Sequence, residues 1–90
     1  MNFIAHNVSQ SRFETSRHEL LSVADYQLSE KVMTVTHIIV PSSLRGQGIA
    51  SDLARAIIAH ARAEGLKVRP QCPFMAAFFD RHAEEADLRV

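Results

Sequence analysis

Between Val40 and Gly65 the chain runs from β-branched apolar residues through a proline and two closely spaced glycines into a long amphipathic stretch. A strand, a glycine turn and a helix in direct succession constrain the fold more than any other feature. Glycines at 46 and 48 allow backbone angles closed to other residues and let a ligand approach the main chain. The helix that follows opens with N–H groups that have no intrahelical acceptor, and its dipole makes them a seat for phosphate oxygens. Pro41 ends the strand because it offers no ladder donor, and Ser42-Ser43 continues the loop. The spacing predicts a helix from about Gly46 to Glu64: Ile49, Leu53, Ile57 and Ala61 recur at four-residue intervals, and Ala50, Ala54 and Ile58 widen the stripe. Gly65 stands where a left-handed residue stops a helix.

Upstream, Ser11 to Thr15 reads as a short strand around Phe13. Glu19 to Leu28 alternates with a period of two, and Ser29-Glu30-Lys31 forms a polar break. Val32 to Val40 is rich in β-branched residues and apolar on both faces, which predicts a central strand. Downstream, Leu66 to Arg69 is a short strand reached through the helix, so a right-handed βαβ unit forms, its strands parallel or splayed apart. Pro70-Gln71-Cys72-Pro73 is a second junction, with Pro73 suited to a first helical position. Phe74, Ala77, Phe78 and Arg81 continue at helical spacing, their aromatics read as core. The acidic tail Glu84 to Leu88 reads as solvated.

Ninety residues make one domain, 1-90, with a single core. Ten basic side chains balance ten acidic ones, so no global field draws the chain to nucleic acid or to a membrane. One cysteine excludes an intramolecular disulfide, and no Cys and His set has zinc spacing. The opening Met1 to His6 lacks a leader pattern, and nothing reaches the roughly 18 apolar residues of a membrane span. A cytoplasmic monomer without a metal is the expectation.

Rival phosphate loops fail on what else they require. A Walker loop needs Lys-Ser/Thr after its last glycine, where Ile49-Ala50 stands; a dinucleotide fingerprint needs Gly or Ala where Ser51 stands. What remains is Arg45-x-x-Gly48-x-Ala50 after a Val-Pro strand end. This resembles the Gln/Arg-x-x-Gly-x-Gly/Ala signature of the GNAT superfamily of acetyl-CoA-dependent N-acetyltransferases. The likeness extends over nearly the whole chain to its compact single-domain subfamily, the N-acetyltransferase domain-containing protein 1 type, through His6-Asn7, Tyr26, His37 to Pro41, Arg45 to Ala50, Pro70 to Pro73 and Arg81-His82.

The resemblance implies an α/β (α+β) fold: a mostly antiparallel sheet with a βαβ unit splayed to admit acetyl-CoA, and two main helices. It implies acetyl-CoA as cofactor, with the pyrophosphate over Arg45, Gly46, Gln47, Gly48, Ile49 and Ala50. Main-chain groups of Ile38, Ile39 and Val40 would pair with the pantetheine amides as an added strand. An amine then attacks the thioester directly, and a backbone N–H near Val40 is a possible oxyanion donor. His37 is either the base or a packed histidine. Cys72, before a helix N-terminus, is either a reactive thiol or a small buried hydrophobe. Arg81 and His82 touch phosphates or form surface contacts, while His6, His18 and His60 have no partner set. Phe78 stands where many relatives carry a tyrosine that protonates the departing thiolate, and Ile38 where many carry threonine, so the resemblance assigns no general acid. The function expected is acetyl transfer to an unidentified amine, a small molecule or a protein lysine. The alternative is an acyl-CoA binding or sensing module with little turnover.

Overall fold

The computed structural model describes residues 3–90; Met1 and Asn2, the start of the stretch read as no leader, lie outside the described residues. One sheet carries five strands in the order β1-β2-β3-β4-β5. Strands β1 (Ala5–Asn7), β2 (Arg12–Arg17), β3 (Leu20–Ser29) and β4 (Val32–Ile39) are antiparallel neighbours. Helix α1 (Ile49–Glu64) crosses to β5 (Lys67–Pro70), which lies parallel to β4, and α2 (Pro73–Arg81) follows. The mixed, mostly antiparallel sheet with one βαβ unit and two α-helices agrees with the expected architecture.

Two-residue turns set the register of the antiparallel part. His18 and Glu19 join β2 to β3, and Glu30 and Lys31 join β3 to β4, all four at positive φ between 52 and 64°. Paired positive φ values give the primed turn whose twist matches that of the strands it joins. The pairs Arg17↔Leu20 and Ser29↔Val32 close on them.

Strand β4 changes character at Thr36. Val35 faces Tyr26 and His37 faces Asp25, so Thr36 falls between register pairs and forms a bulge, its hydroxyl donating to the Asp25 carbonyl at 3.4 Å. The inward set therefore passes from Met33 and Val35 to Ile38 and Val40, and His37 turns outward with Ile39. Pairing with β5 runs only from Val32↔Lys67 to Val35↔Pro70. The Cys72 N–H donates to the Val35 carbonyl at 2.9 Å, and beyond that bond the two strands part.

The core lies between the sheet and the helices. Ile49, Leu53, Ala54, Ile57, Ile58 and Ala61 of α1 meet Phe13, Ala24, Tyr26, Met33 and Val35, and α2 adds Met75, Phe78 and Phe79. Each large side chain so buried contributes about 1.5–3 kcal/mol. Gly65 (φ 68°) ends α1 as expected, its N–H donating to the Ala61 carbonyl.

Four expectations need correction. Strand β1 was not foreseen, because three residues carry no alternation; its register with β2 defines it. Helix α1 begins at Ile49 instead of Gly46, since Gly46 (φ 82°) and Gly48 (φ 80°) cannot belong to a right-handed helix. The tail is docked as well as solvated: Glu84 and Asp87 are exposed as expected, but Ala83–Leu88 forms 3-10 turns, Leu88 is buried, and Arg62 donates to Glu85 (2.6 Å) and Asp87 (2.9 Å). Finally, His6 and His60 do have partners. His6 stacks on Phe13 at 4.1 Å, meets His60 edge-on at 4.5 Å, and shares a 2.7 Å hydrogen bond between its Nε2 and the Tyr26 hydroxyl.

Burial, with the neighbouring His60, holds the His6 imidazole below its ordinary pKa of 6.5. Near that pH the folded chain thus binds fewer protons than the unfolded one, so stability is full above the ordinary value and is lost as pH falls through the lowered one. The melting temperature is expected to fall on acidification from about pH 7.5 to about pH 5.5, and His60→Phe to make that dependence shallower in calorimetric scans.

Candidate functional site

A cavity of about 510 Å³ opens where β4 and β5 separate. One wall is Ile38, Ile39 and Val40; the other comprises Gly48, Ile49, Ala50 and Ser51 at the start of α1, with Leu44, Arg45, Gly46 and Phe74 completing it. The glycine loop reaches this place because its two ends are anchored in the core: Leu44 is 3% exposed and Ile49 1%. Residues 45–48 between them are exposed. A 3-10 turn at Ser42–Leu44 lifts the chain out of β4, with the Leu44 N–H donating to the Pro41 carbonyl at 2.9 Å.

The first α-helical bond runs from the Asp52 N–H to the Gly48 carbonyl at 3.0 Å. The amides preceding it have no intrahelical acceptor, and the positive end of the helix dipole lies among them. A Cβ added at Gly46 or Gly48 would meet nothing within 4 Å, so open space adjoins the backbone there. Arg45 donates from Nε to the Val40 carbonyl at 3.3 Å, joining the loop to the end of β4. Apolar walls, unsatisfied amides and a guanidinium together fit a ligand with a slender arm and a phosphate group.

Of the residues singled out in the sequence, Ile38, Ile39, Val40, Arg45, Gly46, Gly48, Ile49 and Ala50 line this cavity. Gln47 does not; its side-chain carbonyl accepts from Arg17. Arg81 is exposed in the last turn of α2 and also lies outside the lining. His37 is exposed, its Nδ1 3.2 Å from the Thr36 hydroxyl, which corrects the packed alternative. Cys72 is 5% exposed, a member of the core cluster at the N-cap of α2. Leu44, Ser51 and Phe74 were missed as lining residues. The lone apolar Leu44 in a polar loop was the available signal for the first; Ser51 and Phe74 carried none, because their position depends on how α1 and α2 pack.

Phe78 is buried and stacks on His82 at 4.0 Å, and the His82 Nδ1 lies 2.8 Å from the Phe78 carbonyl. His82 is therefore tied into the end of α2. A second groove of about 500 Å³ borders Phe3, Ala5, Leu21 and the β2 residues Glu14 to Arg17. Among the described residues no group of three or more His, Cys, Asp or Glu side chains is placed to hold a metal. No helix among them is long and apolar enough to cross a membrane.

Comparison with known proteins agrees with this geometry. The NMR solution structure of a GCN5-like protein from Staphylococcus aureus, assigned as an N-acetyltransferase, superposes with a TM-score of 0.77 at 22% identity, covering 98% of this chain and 87% of that one. That likeness establishes the fold. Residues 12–88 match the family model described as GCN5-related N-acetyl-transferase. The chain belongs to the GCN5-related N-acetyltransferase family and is by that membership an acetyltransferase.

Proposed function

We propose that this chain, acting as one domain, binds acetyl-CoA in the cavity between β4 and the start of α1 and passes the acetyl group to an exposed amine. The observation that carries the reading is the continuity of the 510 Å³ cavity from the unpaired side of β4 to the open amides of the glycine loop. In this reading the amides from Gly46 to Ala50 and the Arg45 guanidinium hold the pyrophosphate. Main-chain groups of Ile38, Ile39 and Val40 accept the pantetheine arm as an added strand. When bound, acetyl-CoA supplies a thioester carbonyl open to direct attack by an amine.

The chain's own groups orient that chemistry. A backbone N–H at the end of β4 near Val40 serves as oxyanion donor. His37, solvent-facing one residue beyond the bulge, takes the proton of the amine. The burial of Cys72 supports a packing role, with the thiol outside the reaction. The acceptor in this reading is an accessible amine, on a small molecule or a protein lysine.

Calorimetric titration with acetyl-CoA is expected to give saturable binding, and a panel of amines to give amine-dependent release of free thiol. Binding without release would instead point to a sensing module, and no binding would remove the reading. Glycine substitutions separate strain from contact. Gly48→Ala and Gly65→Ala each force a side chain into a left-handed position at a cost of about 1–2 kcal/mol. Only Gly48→Ala should also weaken coenzyme binding, and equal affinity in the two variants would refute the loop assignment.

His37→Gln is expected to lower transfer on the order of 10²-fold in the thiol-release assay while leaving coenzyme binding unchanged. Cys72→Ala should leave the rate of the remaining folded protein unchanged while lowering the melting temperature.

A further inference from the structure

The extra residue of β4 turns one hydroxyl into a link between two strands. Thr36 falls between the register pairs Tyr26↔Val35 and Asp25↔His37, and its Oγ1 meets two groups there. It donates to the Asp25 carbonyl of β3 at 3.4 Å and lies 3.2 Å from Nδ1 of the exposed His37 ring. A carbonyl oxygen can only accept, and a hydroxyl has a single hydrogen to give. Both contacts are therefore hydrogen bonds at once in one arrangement alone. Thr36 gives its hydrogen to Asp25, and Nδ1 carries a hydrogen that it gives to Thr36. A neutral imidazole holds one N–H, so Nε2 then keeps its lone pair.

We propose that Thr36 is a positioning residue of the transfer reaction, fixing through the chain from His37 Nδ1–H to the Thr36 hydroxyl to the Asp25 carbonyl the tautomer in which Nε2 is the base. The inference rests on the reading of His37 as the group that takes the proton of the amine. Thr36 does not line the cavity, so its effect passes through the imidazole. Being β-branched it is stiff at its first side-chain torsion, and its far end is held by the neighbouring strand, which makes it a firm support for an exposed ring. In the reaction the amine nitrogen bonds to the thioester carbon, Nε2 takes a proton from that nitrogen, and the C–S bond breaks with its electron pair leaving on sulfur. The imidazolium returns the proton to the thiolate by way of water, so the products are an amide and a free thiol. Both ring nitrogens of an imidazolium are donors, and the Nδ1 bond to Thr36 persists through the step. The rival support is the Asp25 carboxylate, since Asp25 stands opposite His37 across the ladder. Asp25→Asn removes that charge and keeps the main-chain carbonyl that Thr36 uses.

The test records the nitrogen NMR shifts of the His37 ring in the coenzyme-free chain at about pH 8.5, where a histidine is ordinarily neutral. The same measurement is made on Thr36→Ser, Thr36→Val and Asp25→Asn, with thiol-release kinetics and melting curves on all four proteins. Wild type, Thr36→Ser and Asp25→Asn are expected to hold the hydrogen on Nδ1, and Thr36→Val to lose that preference. Thr36→Val should lower kcat roughly tenfold with the KM for acetyl-CoA within about twofold of wild type, and Thr36→Ser should restore most of the rate. A wild-type ring with its hydrogen on Nε2, an Nδ1–H tautomer that survives in Thr36→Val, or one that disappears in Asp25→Asn overturns the proposal. So does a Thr36→Val kcat within about twofold of wild type. Turnover in the wild type alongside any of these results leaves the acetyl-transfer reading standing. The expected tautomer without amine-dependent thiol release overturns that reading and the positioning role with it.

Discussion

The separation of β4 from β5 after Val35 is the constraint on which the rest depends. Parallel pairing stops at Pro70, which has no N–H to continue a ladder; the Gln71 amide turns back to the Arg69 carbonyl, and that of Cys72 is spent on the Val35 carbonyl. On the other strand the bulge at Thr36 shifts the inward face by one residue. Together these features leave one side of the end of β4 unpaired while its other side stays in register with β3. The cavity is the space so created, and α1 starts at its rim because the chain leaves β4 there.

The glycine loop shows how an exposed segment can have a defined shape. Leu44 and Ile49 are fixed in the core at either end, and between them the backbone passes twice through left-handed geometry. Two arginines from different parts of the fold brace it: Arg45 on the Val40 carbonyl and Arg17 on the Gln47 side chain. Cations near a group of undonated amides favour one class of ligand, an anion, and a loop shaped in advance loses less entropy when that ligand arrives.

Much of this was legible in the residues because the strong signals were local. The apolar periodicity of α1, the Pro41 stop, the Gly65 cap and the β-branched run of β4 each depend on near neighbours, and each appears where expected. Eight of the residues singled out, five in the glycine loop and the start of α1 and three at the end of β4, line one cavity. What escaped was tertiary. Strand β1 exists only against β2, Leu88 is buried only because Arg62 and Val68 hold the tail, and His6 meets His60 across a sheet and a helix. Gln47 and Arg81 missed the cavity for the same reason: motif spacing places a backbone, and side-chain direction follows from packing.

The docked tail has a consequence for how the molecule keeps to itself. Val90 donates to the Val68 carbonyl at 3.0 Å and Arg89 bridges to Val68, so the outer rim of β5 is covered by the chain's own last residues. A bare strand rim invites a foreign strand and with it clumping. The unpaired stretch of β4, by contrast, lines a crevice flanked by the glycine loop and Phe74 of α2, which leaves that rim open to a bound molecule instead of to the chain's own tail.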